Sequence, residues 1–314
     1  HKSANAGEIN SRALLWDTIR EAIPFIITGS AIQLFQIIDQ NTFIHVMGWI
    51  SKYSKSELLV QFAYFSANPN KITMILIAVA TSIGGVGIPL LTENYVKGDF
   101  RSAARLVQDN LSMLIFFILP ATIGAVLVAE PLYTVFYGKP DGLALGLFIF
   151  AMLQTIILSL YTVLAPMIQA LFQNRKAIIY FLYGVGVKLV LQVPLIYIFK
   201  AYGPLLATTV GLIIPILLMY QEIRKVTGLN PKNLFKRSLL SVILTVLMTI
   251  FVLVAELLIG LFLHPSGRIS SFVYITLIGG IGLAVYGGLA LKVRLMDRFI
   301  GSKAASLRRR FHIY

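Results

Sequence analysis

Residues 71–129 read KITMILIAVATSIGGVGIPLLT, then ENYVKGDFRSAARLVQD, then NLSMLIFFILPATIGAVLVA. The first piece has one charged residue, Lys71 at its start, and the third has none. A helix crosses the ~30 Å hydrocarbon core of a bilayer in ~20 apolar residues, so each of these pieces is long enough to span it. The piece between them carries the basic residues Lys97, Arg101 and Arg105 around a Gly98–Asp99 pair. An apolar run, a short basic link and a second apolar run predict a membrane hairpin with its link on the cytoplasmic side.

The same reading extends in both directions. The chain has 314 residues, 57% hydrophobic and only 13% charged. Soluble domains carry roughly 25% charged residues, so water cannot cover this surface. Apolar runs at 18–39, 71–92, 110–129, 143–167, 177–199, 203–221, 238–263 and 271–291 predict an all-α, polytopic membrane helical bundle of eight spans. The runs lack the period-two alternation of strands. Residues 40–70 form the longest outer connection, and FIHVMGWI within it predicts an interfacial helix anchored by Trp49. The link at 97–110 predicts a short in-plane helix capped by Asp99. The turns YGKPDG at 137–142 and HPSGR at 264–268 fall outside, and Tyr133, Phe136, Tyr137, Tyr197 and Tyr202 suit an outer aromatic belt.

Net charge is +14, from 27 Lys and Arg against 13 Asp and Glu. In a soluble protein that balance would suggest nucleic acid; here topology accounts for it. With the N-terminus inside, 20 basic residues fall on the cytoplasmic side: three before the first span, three, two and five in the inner links, and seven in the tail. Lys52, Lys55, Lys71, Lys139, Lys200 and Arg268 fall outside, and Lys188 lies within a span. Both ends are therefore expected in the cytoplasm of a multi-pass cell-membrane protein. The polar start, His1-Lys2-Ser3, reads as a loop entered mid-protein, so a fragment is expected.

Polar atoms in hydrocarbon must face protein or water. Gly29, Gln33, Gln36 and Gln40 form one stripe on the first span, with Asp39 beside it. Lys71, Met74, Ala78, Thr81 and Gly85 form another on the second span. Thr155, Ser159, Thr162, Pro166 and Gln169 follow on the fourth, and Gly184, Lys188 and Gln192 on the fifth. Two readings stand for such stripes: the lining of a water-filled cavity, or small and hydroxylic residues gluing helices together. Lys188 sits at mid-bilayer depth, where it either faces a cavity or makes a buried structural pair. Lys71 and Asp39 sit near an outer end, where snorkelling competes with a cavity role. The cavity set is thus Lys71, Lys188, Gln33, Gln36, Asp39 and Gln192. Pro24 and the segment SIGGVGIP, with Gly84, Gly85, Gly87 and Pro89, are the expected hinges. Gly280, Ala284 and Gly288 have small-xxx-small spacing, a close-packing face on the last span.

No Walker, HExxH or G-x-S-x-G motif occurs, His residues are unclustered, and there is no cysteine. Neither an enzyme nor a cofactor or metal site is expected, and transport is the function class left.

IPFIITGSAIQLFQIID at 23–39 and IGGVGIPLLTENYVKGDFRSAARLVQDNLSMLIFFILPATIGAVLVAEPLYTVFYG at 83–138 resemble the MOP exporter superfamily, and within it the Gram-positive MurJ-type and stage V sporulation protein B-like flippases. ALFQNRKA and YGPLLATTVG follow in step. The resemblance implies the second six-span lobe of a MATE-like fold at 18–221, after a cytoplasmic segment at 1–17. A loop at 222–237, two additional spans at 238–291 and a basic tail at 292–314 would complete it, with the first lobe missing. It implies alternating-access flipping of an undecaprenyl-pyrophosphate-linked saccharide such as lipid II, with membrane lipid and the first lobe as partners and no nucleic acid. It also implies a cationic cavity residue at Asn70 or Lys71, and a lipid-tail groove on the additional pair. A MATE-like drug or cation antiporter, which favours cavity carboxylates, is the alternative; a non-transporting scaffold would not need the stripes.

Overall fold

A computed structural model describes residues 11–311, so His1, Lys2 and the first ten residues of the 1–17 segment lie outside the described residues, as does His312. No strand occurs among the described residues. The helices are α1 (Ser11–Gly29), α2 (Ala31–Ile50), α3 (Lys55–Phe65), α4 (Ala67–Gly85), α5 (Ile88–Val96), α6 (Phe100–Leu127) and α7 (Ala129–Tyr137). They continue with α8 (Gly142–Ala170), α9 (Asn174–Phe199), α10 (Gly203–Thr227), α11 (Pro231–Gly260), α12 (Arg268–Lys292), α13 (Asp297–Ile300) and α14 (Ser302–Phe311). The expected polytopic helical bundle is what is found.

By length and hydropathy six stretches can cross a membrane, or seven if the bent pair α1–α2 is one span. One of the six, Asn174–Thr227, is folded back on itself. Its limbs α9 and α10 pack side by side, with Lys188 bonded to Thr208 and Gly184 against the carbonyl of Gly211. Each limb has 26 or 25 residues, ~38 Å at helical rise, enough for a separate crossing.

Several expected boundaries shift, each for a packing reason. The first run, 18–39, is two helices bent by 55° at Ser30. The bend is not at Pro24, which sits inside α1. Gly29 and Ser30, both weak helix formers, mark the corner instead. FIHVMGWI is no separate interfacial helix. It completes α2, because Phe43, Val46 and Met47 are buried against Leu58 and Phe65 of α3 and Ile196 of α9. The 97–110 link is likewise continuous with its span. Asp99 does cap it, accepting from the Ser102 backbone N–H at 3.0 Å, and these Ser102 bonds hold its carboxyl below the usual carboxylate range. Ala103 and Val107 are buried in the core, which keeps the first turns of α6 against the bundle rather than in the membrane plane. Tyr133, expected in the aromatic belt, is buried edge-on to Phe148.

The expected hinge segment is a true break, since α4 ends at Gly85 and α5 starts at Ile88 with Pro89 in its first turn. Its glycines answer to packing. A Cβ on Gly84 would strike Val163 of α8 at 2.8 Å, one on Gly87 would meet Asn110 of α6, and Gly85 has open space. None of the three has positive φ.

Helix α8 is the hub: α1, α4, α6 and α10 all pack on it, and 17 of its residues are buried. The pair α11–α12 attaches to one side, α11 on α6 and α12 on α7. Their contact uses Gly282, whose missing Cβ admits Val252, with Ile278 and Tyr286 one turn to either side. The expected Gly280, Ala284 and Gly288 face is wrong by this measure, since Gly280 and Gly288 have nothing within reach.

In lipid, apolar burial does not by itself bring helices together; close backbone approach and interhelical hydrogen bonds do. The α9–α10 crossing is the tightest case. A Cβ on Gly184 would lie 2.3 Å from the Gly211 carbonyl oxygen, a backbone atom that cannot swing aside. Gly184→Ala should therefore destabilise the protein by ~1–3 kcal/mol, as overpacking does, while Gly85→Ala should be near neutral. Thermal unfolding of both variants in detergent checks this, and equal stability would contradict the crossing.

Candidate functional site

The structure brings together one acid, one base and three polar side chains from three helices. Lys188 of α9 is 0% exposed. Its Nζ donates to Oδ1 of Asp39 on α2 at 2.6 Å and to Oγ1 of Thr208 on α10 at 2.6 Å. Gln192, one turn along α9, donates to the same Oδ1 at 2.8 Å and to Thr42 Oγ1 at 2.8 Å. The ammonium also lies 5.2 Å from the centre of the Phe35 ring, a cation–π contact that strengthens when water is excluded. A lone cation at this depth costs at least ~2.5 kcal/mol even on insertion scales. Here every ammonium neighbour is an acceptor or an aromatic face. The alternation Gly184, Lys188, Gln192 on α9 lets one helix face pack on α10 at its start and on α2 at its end.

Beside this pair lies a cavity of about 180 Å³ between α2, α4, α8 and α10, with polar side chains set among apolar ones. Gln33, Gln36 and Asp39 reach it from α2, Asn70 and Thr73 from α4, Gln154 and Thr162 from α8, and Thr208 from α10. The amides are held in place. Gln154 donates to the Leu205 carbonyl at 2.7 Å and to Thr209 at 2.9 Å. Gln36 lies 3.5 Å from Asn70. The wall is neutral apart from Asp39, whose charge is met from behind by Lys188.

Three of the six expected cavity residues, Gln33, Gln36 and Asp39, therefore line a cavity, and three do not. Lys188 and Gln192 are packed behind Asp39, the buried-pair reading of the sequence. Lys71 is exposed, its ammonium 5.1 Å from the centre of the Tyr137 ring, and its neighbour Asn70 is the cavity residue. Of the expected second-span stripe only Met74 reaches the cavity, beside Asn70, Thr73 and Ile77, while Thr81 returns its hydroxyl to the Ile77 carbonyl. The fourth-span stripe divides. Thr155 meets Thr73 at 3.4 Å and Gln169 bonds Thr28 at 2.8 Å, both gluing helices, and only Thr162 reaches the cavity. Gln154 and Thr208 were missed. Gln154 with Leu158 and Thr162 forms an i, i+4, i+8 face that the sequence displays one position off the chosen one.

A second hollow, about 400 Å³ and almost wholly apolar, lies between α6, α11 and α12, bounded by Phe116, Pro120, Met248, Ile278 and Tyr286. Glu256 does not reach it; that carboxylate faces an outer cleft shared with Glu130 and Tyr274.

Apolar helices enclosing an off-centre cavity with polar side chains, with a greasy groove on a flanking pair, define a multi-pass membrane protein. The chain matches the lipid II flippase MurJ family over residues 12–277 and belongs to it. It is 28% identical over 299 residues to the lipid II flippase MurJ of Bacillus subtilis (strain 168), covering 94% of this chain and 55% of that protein. The chain thus spans about half the length of the curated relative it matches.

Removing one member of a buried ion pair leaves the other uncompensated, at a cost of ~3–5 kcal/mol, whereas removing both can be nearly neutral. Lys188→Met and Asp39→Asn should each lower the unfolding temperature in detergent markedly, and the double variant should recover most of the loss. Additive single losses in that cycle would mean the two groups do not interact.

Proposed function

We propose that the protein moves an undecaprenyl-pyrophosphate-linked cell-wall precursor, lipid II or a related polysaccharide unit, across the cytoplasmic membrane by alternating access. This chain supplies one wall of the pathway. In this reading it crosses the membrane eight times with both ends cytoplasmic: 18–221 is a six-span lobe, and 238–291 adds two flanking spans. The single observation that carries the reading is the cavity wall of Gln33, Gln36, Asn70 and Gln154, set inside an otherwise apolar bundle. Family membership supports it, as does the relative whose name is lipid II flippase.

The chemistry is passage rather than catalysis. Amides and hydroxyls exchange hydrogen bonds with a sugar–peptide head as water does, while the polyprenyl tail stays in lipid. Because this wall is neutral, the cations that hold the pyrophosphate come from outside it, with Lys71 at the outer rim the nearest candidate in this chain. The breaks at Ser30 and at 86–87 are the proposed bending points. The antiporter alternative depends on a free cavity carboxylate, and Asp39 is instead matched by Lys188.

Depletion of the protein should trap lipid II in the inner leaflet. Build-up of a different undecaprenyl-linked sugar would move the substrate, and normal precursor pools with altered drug sensitivity would favour the antiporter. Replacing Gln33 and Gln36 by Leu should leave folding intact and lower flipping by roughly tenfold or more, since a hydrogen bond to a charged or polar head is worth ~1–3 kcal/mol. Wild-type flipping by that double variant, measured as surface-exposed lipid II, would remove the cavity from the pathway.

A further inference from the structure

Helix α5 hangs on the bundle by very little. Of its residues, Ile88–Val96, Leu91 alone is buried. It is also shorter than the ~12–15 residues that an isolated helix needs in water. The break at 86–87 parts it from α4, and at its other end the chain turns away through Gly98 at φ 76°. Its position therefore rests on side-chain contacts that can be named one by one.

At the break, Asn110 of α6 donates its amide to the Gly84 carbonyl at 3.5 Å, longer than an ordinary hydrogen bond. Gly87 makes room for that amide, since a Cβ there would lie 2.4 Å from its nitrogen. One turn into α5, Thr92 shares its hydroxyl between the Ile88 carbonyl and the Ala170 carbonyl at the end of α8, 3.2 Å to each. At the far end the Tyr95 ring meets Phe100 of α6 and Phe172 of the α8–α9 turn, with centroids 5.7 and 6.1 Å away.

Phe172 is the telling member. It stands at φ 58°, in the left-handed region, where a bulky residue is an outlier and glycine the default. The backbone around it is an ordinary helix end: the Phe172 N–H returns to the Gln169 carbonyl at 3.0 Å and the Gln173 N–H to that of Ile168 at 3.2 Å. Glycine would serve that turn without strain. The Phe172 side chain is 61% exposed, so burial does not hold it there. What its posture does achieve is the contact with Tyr95.

We propose that α5 is a detachable lever, seated by Asn110, Thr92 and the strained Phe172, which leaves and regains that seat by swinging at 86–87. Leaving breaks two weak hydrogen bonds and an aromatic contact, and no charge loses its partner. The Glu93–Lys97 ion pair is internal to the segment and travels with it. The opposite end of α4 is built the other way. There Asn68 donates to the Tyr133 phenol at 2.9 Å, Tyr137 donates to the Asn68 carbonyl at 2.8 Å, and Tyr133 is buried against Phe148. Helix α4 is pinned at that corner, so its free end is the one that carries α5.

Hydrogen exchange read by mass spectrometry, on the purified protein in detergent, tests the seat without any substrate. Amides at 88–96 should exchange faster than those of the α8 core. Asn110→Ala and Thr92→Val should each speed that exchange by about two- to tenfold, the worth of one hydrogen bond, and leave α8 and α9 unchanged. Gly87→Ala should act likewise by displacing the Asn110 amide, and should add little once Asn110→Ala is present. Phe172→Gly should act with opposite signs in two places: the turn relaxes, so the unfolding temperature holds or rises, while 88–96 exchanges faster. Tyr64→Phe, which removes a bond to Asp141 beside the pinned corner, should leave 88–96 as it was. Exchange at 88–96 as slow as in α8, additive effects of Gly87→Ala and Asn110→Ala, or no response to Phe172→Gly would each overturn the lever. Equal acceleration across α4, α6 and α8 would overturn it too, because the bundle as a whole would then be loosening. Flipping plays no part in the readout, so the lever and the flippase reading fail separately.

Discussion

The ion pair between Asp39 and Lys188 is the constraint around which this bundle is arranged. Neither charge is tolerable alone in hydrocarbon, and together they are tolerable only if every remaining donor and acceptor is met. Thr208 and Gln192 supply those partners. To bring them within 3 Å, α9 and α10 must touch backbone to backbone, which is why glycines stand at 184 and 211. The same demand sets the position of α2 against α9, and with it the face that α2 turns toward the cavity. Gln33 and Gln36 line the cavity while Asp39, one turn further along, looks partly the other way, toward Lys188.

The pair also shapes the electrostatics of the cavity proposed as the pathway. A free carboxylate on a cavity wall would repel a pyrophosphate, and at low effective dielectric that repulsion reaches far. Lys188 cancels it from behind without presenting a cation to the cavity. The result is a wall that hydrogen-bonds without strong charge of either sign. Such a surface suits a head that must pass and leave, because a tightly held anion would stay. In the proposed pathway, recognition by charge would then belong to other surfaces, and the neutral wall would stand in for water.

Much of this was legible in the chain. Run length and charge asymmetry were enough for the class of fold, because hydrocarbon thickness and the cost of burying charge act on local sequence. Asp99 as a cap and the break before Pro89 were legible for the same reason: each depends on neighbours a few residues away. What failed depended on distant partners. FIHVMGWI has the look of an interfacial helix until Phe43 and Met47 find α3 and α9. Gly280, Ala284 and Gly288 have the right spacing for close packing, but Gly282 lies on the side facing α11. The stripe on α4 was right at Met74 but not at its start, where a shift of 100° exchanges Asn70 for Lys71. Lys188 was recognisable as exceptional, yet nothing local distinguished a cavity lysine from a paired one. Its partner lies 149 positions away.

Rigid and yielding regions follow from these contacts. Separating α2 from the α9–α10 hairpin would strip two charges of their partners at once, at a cost comparable to a large share of a domain's stability, ~5–15 kcal/mol. Those three helices are therefore held together as one body. The corner at Ser30 keeps its backbone bonds, from Ser30 to Ile26 and from Leu34 to Ser30, so α1 can swing on α2 without exposing a broken ladder. At 86–87 the chain is also free to bend, since Pro89 has no N–H to lose and Gly87 meets only the mobile end of Asn110. The proposed bending points thus lie where the backbone ladder is either kept or already open, and the charged trio α2, α9 and α10 is the rigid body on which they would turn.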